Sequence, residues 1–407
     1  MSSPTTAPTP TEAPFPWIGL LTLAGAIFVS VTSEFLPTGL LPDMASELGV
    51  SISTAGLLVT VFAGTVVIAT TPLAALTRKY SRKSLVFVVL LVLAFANVLA
   101  AIAPTYEILV GARILGGLAH GLFWAVVAAY SAHLVPKHQL GKAVAITSGG
   151  ASAAFVLGVP VGTALGHALG WRVAFGIIAA IVVLLALAVL KFLPPVNHHV
   201  VVKTGEIAIP MYKDRSIRGV ALLCVVIVIL ITGQNTYYTY IAPWLVEAAG
   251  FPETSVAFLL FLFGGAGAVG LVLAGFASDR FPKRGFAFAL LGVMTSVLVL
   301  AIWSENPIVV VVAFVVWGVS FGGLPAMLQT RMLHTASFRT RDLAAALQTT
   351  AFNIGIGGGA LLGGLLLDRT GIENLPMALV LFIAAGFILL VGTDALRSAR
   401  ARRALLA

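Results

Sequence analysis

Charge is scarce in this chain. Only 10% of its 407 residues are Asp, Glu, Lys or Arg, against about 25% in an ordinary soluble protein. Acid is scarcer than base, 15 residues against 24, which leaves a formal charge of +9. A single cysteine, Cys224, excludes an internal disulfide and reads as an inert packing residue. Residues 1–16 contain no Lys or Arg and no short apolar core, so they lack the form of a secretory signal. Rich in Pro, Thr and Ser, they are expected to form a disordered tail. No zinc-protease motif, nucleophile elbow or catalytic cluster is present, which argues against an enzyme. His198-His199 has no third ligand in view, so no metal and no other cofactor is expected.

Apolar residues are what the chain has in plenty. They make up 59% of it, and the mean hydropathy is +1.05. The apolar stretches are long enough for helices that cross the roughly 30 Å hydrocarbon core. Twelve spans are expected, at 17–41, 52–76, 84–103, 105–133, 141–168, 172–193, 218–246, 254–277, 285–303, 307–333, 341–369 and 373–394. The alternation that a membrane β-barrel needs is not visible. The predicted class is an all-α integral membrane protein.

Of the 24 Lys and Arg, 21 fall in six segments: 77–84, 134–142, 191–218, 279–284, 331–342 and the tail 395–407. The alternate breaks carry Asp43, Glu47, Glu107, Glu247, Glu253 and Glu305 and no base. Topology therefore explains the positive charge, and no nucleic-acid partner is expected. By the positive-inside rule both termini are cytoplasmic. The chain also repeats at an offset of 201: Ser81-Arg82-Lys83 aligns with Pro282-Lys283-Arg284, and Pro42 with Pro243. This predicts two pseudo-symmetric six-helix halves, 17–193 and 218–394, joined by a linker over 194–217. Parallel halves of this kind place a solute site at their interface near the midplane.

Two charges fall deep inside expected spans, Glu34 and Arg113, whereas almost every other charge lies in or beside a break. An intramembrane charge costs about 2.5–3.5 kcal/mol on insertion scales and usually lines a pathway. At 1.5 Å rise per residue, both lie on the outward side of their span midpoints at similar depth. Neighbouring helices would allow the two to pair directly or through a water. Two conformations that differ in the Arg113 distance would hold a proton on Glu34 with different affinity, which is the coupling an antiporter needs. The competing reading is a static ion pair. His120 shares a helix face with Arg113, with Gly117 between them; it reads equally as a solute or proton ligand and as a packing histidine. Trp124 could stack on a sugar ring or simply pack. The run Gln234 to Tyr240 is too polar for lipid and suits a neutral polyhydroxylated solute, with Gln234, Asn235 and Tyr238 as ligands. The offset sets Asn235 opposite Glu34. Asn353 is a further candidate, and interhelical glue is its alternative. Gly158, Pro160 and Gly162 read as a hinge or as plain helix packing. Gly265 to Gly270 matches a dinucleotide-binding spacing but lies inside an apolar span, where a helix-packing face is the better reading.

These features resemble the major facilitator superfamily, drug:proton antiporter type. Gly275-Phe276-Ala277-Ser278-Asp279-Arg280-Phe281-Pro282-Lys283-Arg284 is similar to its loop signature of a Gly, an acid and a basic cluster. In the first half Arg78 stands where that acid would be, so the resemblance does not carry the implied charge latch to that side. Arg113-Ile114-Leu115-Gly116-Gly117 resembles the fourth-helix signature whose arginine is linked to proton transfer. Gly158 to Gly162 resembles a variant of the fifth-helix antiporter signature. Thr32 to Pro42 resembles the first helix of bacterial sugar efflux transporters and of chloramphenicol exporters. Ala119 to Trp124, Tyr240 to Pro243 and Phe352 to Gly357 are nearer the sugar group. The resemblance implies a monomeric, proton-coupled antiporter of the bacterial inner membrane, which exports a small neutral solute such as a sugar. Its partners would be solute, protons and lipid. A multidrug or chloramphenicol exporter is the near alternative; an uncoupled facilitator and a membrane sensor are remoter ones.

Overall fold

The computed structural model describes residues 15–136, 139–195, 214, 216–337 and 340–406. Among the described residues, twelve helices are long and apolar enough to cross a membrane. In the first half these are α1 (Trp17–Leu48), α2 (Ile52–Leu76), α3 (Arg82–Ala101), α4 (Tyr106–His133), α5 (Leu140–Ala153 and Val159–Leu169, joined by a π turn) and α6 (Trp171–Phe192). In the second they are α7 (Ile217–Tyr238), α8 (Glu253–Arg280), α9 (Pro282–Ile302), α10 (Pro307–Gly322 and Leu324–Thr335), α11 (Arg341–Thr370) and α12 (Leu375–Leu406). The expected tail 1–16 and linker 194–217 lie largely outside the described residues, as does His198-His199.

The helix ends follow local chemistry. Ser51 and Ser81 cap α2 and α3 through their hydroxyls, and Asn306 caps α10. Helix α1 continues past the expected end at residue 41. Pro37 and Pro42 are carried within it, and it stops only at Gly49, whose φ of 66° makes a left-handed cap. The seventh span breaks at Thr239-Tyr240, followed by a short turn and a π turn over Trp244–Ala248. Helix α12 runs through the expected tail to Leu406, because Ala, Leu and Arg there are all strong helix formers.

Helix α1 is the axle of the first half and packs on α2, α5 and α6. Between membrane helices there is no water to expel, so close van der Waals contact must hold them. Glycines make it. Gly158, Gly162 and Gly166 of α5 face Thr32, Leu36 and Leu40 of α1 one turn apart. The halves join through α2 with α11 and through α5 with α8. On the α2–α11 seam, Thr60 Oγ1 donates to the Gly357 carbonyl at 3.0 Å, and the Tyr240 phenol donates to Ala360 O at 2.8 Å and covers Gly56. These contacts sit toward the molecule's acidic end, where Asp43, Glu47 and Glu253 lie and where Asp43 pairs with His167 and Glu47 with Arg172.

Candidate functional site

The middle of α1 reads Ser30-Val31-Thr32-Ser33-Glu34, a polar run in an apolar helix. Because α1 is central, all five side chains are buried, Glu34 at 5% exposure. The Glu34 carboxylate points at α4. Its Oε2 lies 3.3 Å from Nε2 of His120, and Nδ1 of the same ring lies 2.9 Å from Ser30 Oγ. Ser30 and Glu34 are one helical turn apart, so a single imidazole spans both. The ring is also wedged by Phe62, edge-on at 5.2 Å, and by Trp124 at 6.2 Å. A serine hydroxyl can donate or accept, so His120 can exchange tautomers and keep both bonds. This arrangement suits one hydrogen shared between an acid and an imidazole.

Arg113 sits at the level of Glu34 but does not bond its carboxylate. Nη1 donates to Ser33 O at 2.9 Å and Nη2 to Glu34 O at 2.8 Å, while the guanidinium lies 4.2 Å over the Phe62 ring. The cause is in the sequence. In a helix the Ser33 carbonyl would accept from the amide of residue 37, and residue 37 is proline. Arg113 supplies the donor that Pro37 cannot. A guanidinium fork fits two carbonyls at once as an ammonium would not.

In the second half, Gln234 and Tyr238 join a separate cluster around Trp317. Trp317 of α10 donates from Nε1 to Gln234 Oε1 at 3.1 Å. Tyr237 stacks on Trp317 at 5.0 Å and 7°, and Tyr238 and Phe263 meet it edge-on. Asn235 and Asn353 each turn back on their own helix, Nδ2 donating to Ile231 O and Thr349 O. Asn353 Oδ1 has no partner among the described residues. Among the described residues no hydrogen bond or ring contact joins His120 and Trp124 to Gln234, Asn235, Tyr238 or Asn353. Gly158 and Gly162 are packing positions against α1, and Pro160 follows the π turn Ala154–Gly158. Gly275 and Arg280 are exposed near the basic end of α8; the side chain of Asp279 lies outside the described residues. Gly267 and Gly270 approach the backbone of α10 at Gly318, Val319 and Gly322, a helix-packing role.

A family model described as Major Facilitator Superfamily matches residues 23–356 and 223–404. The chain belongs to the Major Facilitator Superfamily. It is 32% identical, over 91% of both chains, to a protein of Pasteurella multocida named "probable sugar efflux transporter". A Helicobacter pylori protein of the same name is 31% identical over 85% of this chain and 87% of its own length. Two crystal structures of a bacterial homologue of the human lysosomal transporter Spinster, inward-facing, share the fold. The unoccupied form has a TM-score of 0.71 at 14% identity, covering 95% of this chain and 96% of that one. The occupied form has a TM-score of 0.74 at 16% identity, covering 96% and 98%.

In this superfamily member several site residues escaped the reading of the sequence: Ser30, Ser33, Phe62, Asn97 and Trp317. Ser33 donates to Asn97 Oδ1 at 2.8 Å. Ser30 had a signal, one turn before Glu34, and so had Asn97, an amide amid the apolar α3. Phe62 and Trp317 had none, because an aromatic in an apolar span reads as packing until its neighbours are known.

Proposed function

We propose that this transporter is a proton-coupled antiporter that exports a small neutral solute, a sugar or sugar analogue, by alternating access. The observation that carries this reading is the buried Glu34 carboxylate facing the His120 imidazole at 3.3 Å, with the permanent cation of Arg113 bound to the same stretch of α1. Titratable groups buried in a membrane are costly and usually mark a functional pathway. In this reading Glu34 carries the proton, His120 shares it, and Arg113 sets how firmly it is held. The basic end faces the cytoplasm, as the charge asymmetry favours, so both termini are cytoplasmic and the membrane is the bacterial inner one. The halves 17–193 and 218–394 rock against each other as units of one monomer. With α2 and α11 in contact toward the acidic end, the path opens toward the basic end.

Solute specificity is read from residues suited to a polyhydroxylated ring. Gln234, Asn235 and Asn353 offer amides, and Trp124 and Tyr238 offer flat faces. The names of the relatives support the same class. The amides of Asn235 and Asn353 would swing from their own helices to meet the solute. The test is uptake of labelled arabinose or a thiogalactoside into proteoliposomes under an imposed pH gradient; accumulation that follows the gradient supports the reading, and flux indifferent to it contradicts it.

The aromatic group of Tyr237, Tyr238, Phe263, Phe314 and Trp317 favours a second reading. Such a surface suits an aromatic drug, and competition by chloramphenicol but not arabinose would select it.

A further inference from the structure

Beside Arg113 lies a small crevice between α1, α3, α4 and α6, of about 10 Å³, walled by Ser33, Ala96, Asn97, Ala112, Arg113 and Phe175 among others. Each of these six residues is buried. A space of this size takes a single water molecule when two to four polar groups face it. Three line this one. Arg113 Nε–H is buried and has no partner among the described residues. Ser33 Oγ gives its hydrogen to Asn97 Oδ1, which leaves the hydroxyl oxygen free to accept. Asn97 is itself fixed, with Nδ2 donating to Leu93 O at 2.7 Å, so its carbonyl oxygen stands still in the wall.

We propose that this crevice is a binding site for one ordered water, which accepts from Arg113 Nε and donates to Ser33 Oγ and Asn97 Oδ1, and that Asn97 is a positioning residue for the Arg113 guanidinium. The inference rests on the reading of Glu34 as the proton carrier. With the water in place each of the three guanidinium nitrogens of Arg113 has an acceptor: Nη1 and Nη2 on α1 carbonyls, Nε on the water. Without it, the remaining acceptor of matching charge on α1 is the Glu34 carboxylate. A guanidinium drawn there lets the acid ionise more readily. The charged and titratable groups around Glu34 are Arg113 and His120, both from α4. Helix α2 carries none, those of α3 (Arg82, Lys83), α5 (Lys142, His167) and α6 (Arg172, Lys191) lie at helix ends, and α7 presents only its tyrosines near this depth.

The test is the pH profile of gradient-driven flux in proteoliposomes for the wild type, Asn97→Leu, Ala96→Val and Glu34→Gln. Asn97→Leu removes the polar wall, and Ala96→Val fills the space and touches no hydrogen bond, so it also serves if the first variant does not fold. Both should shift the half-maximal pH toward acid by about half a unit or more, with the KM for solute unchanged. Unshifted profiles in both, with pH dependence abolished in Glu34→Gln, overturn the water site and leave the proton reading intact. If Glu34→Gln keeps its pH dependence, the proton reading fails instead. The site is then decided by a high-resolution density map of the full chain: a peak at hydrogen-bond distance from Arg113 Nε supports it, and an empty crevice overturns it.

Discussion

The Glu34 carboxylate lies 3.3 Å from the His120 imidazole, while Arg113 grips the main-chain carbonyl of Glu34 and not its side chain. The titratable pair and the fixed cation thus act on the same residue through different atoms. A proton can come and go from the carboxylate without breaking the bonds that tie α4 to α1.

Removing the imidazole tests the sharing of that hydrogen. His120→Asn keeps a polar group near Ser30 but cannot titrate. Flux should persist, with a changed pH profile. Initial rates measured as a function of pH check it, and an unchanged profile would assign His120 to packing.

Arg113→Lys keeps the charge and loses the fork. One ammonium cannot satisfy the carbonyls of Ser33 and Glu34 together and also stack on Phe62. The loss of a charge-assisted bond is worth about 1.5–3 kcal/mol. Gradient-driven flux should fall by about tenfold or more, and thermal unfolding should come several degrees earlier.

Pro37→Ala separates stability from coupling. The alanine restores an amide to the Ser33 carbonyl, which then competes with Arg113. A proline inside a helix costs about 3 kcal/mol, so the variant should melt at the same temperature or higher. Its gradient-driven flux should nevertheless drop. A variant that is more stable and fully coupled would show that Pro37 has no part in placing Arg113.

Gly158→Val tests the α1–α5 contact. The added carbons would meet Thr32 and Phe28, and overpacking of this kind costs about 1–3 kcal/mol. Thermal unfolding should shift down, whereas a valine at the open position Gly149 should change little.

Most of the fold was legible because long apolar runs and clustered bases are strong signals. The twelve spans fall where those runs lie. What stayed hidden depended on rotation and packing. Helical rise set Arg113 level with Glu34, but rise alone does not say which atom meets which. The imidazole came to face the carboxylate because α4 turns His120 toward Ser30 and Glu34. Pro37 already held the reason that the guanidinium seeks carbonyls, since a proline four residues after Ser33 leaves a helix carbonyl unpaired. The π turns at Ala154–Gly158 and Trp244–Ala248 left no trace in composition. Trp317 joined the Gln234 cluster only through the α7–α10 approach.

The most direct measurement is solute flux in proteoliposomes holding Glu34→Gln, with acid imposed on the side of the acidic loops. The variant should lose accumulation driven by the gradient and keep solute exchange in its absence, because glutamine still accepts a bond from His120 but carries no proton. Full gradient-driven flux in Glu34→Gln would contradict a proton carried on that carboxylate.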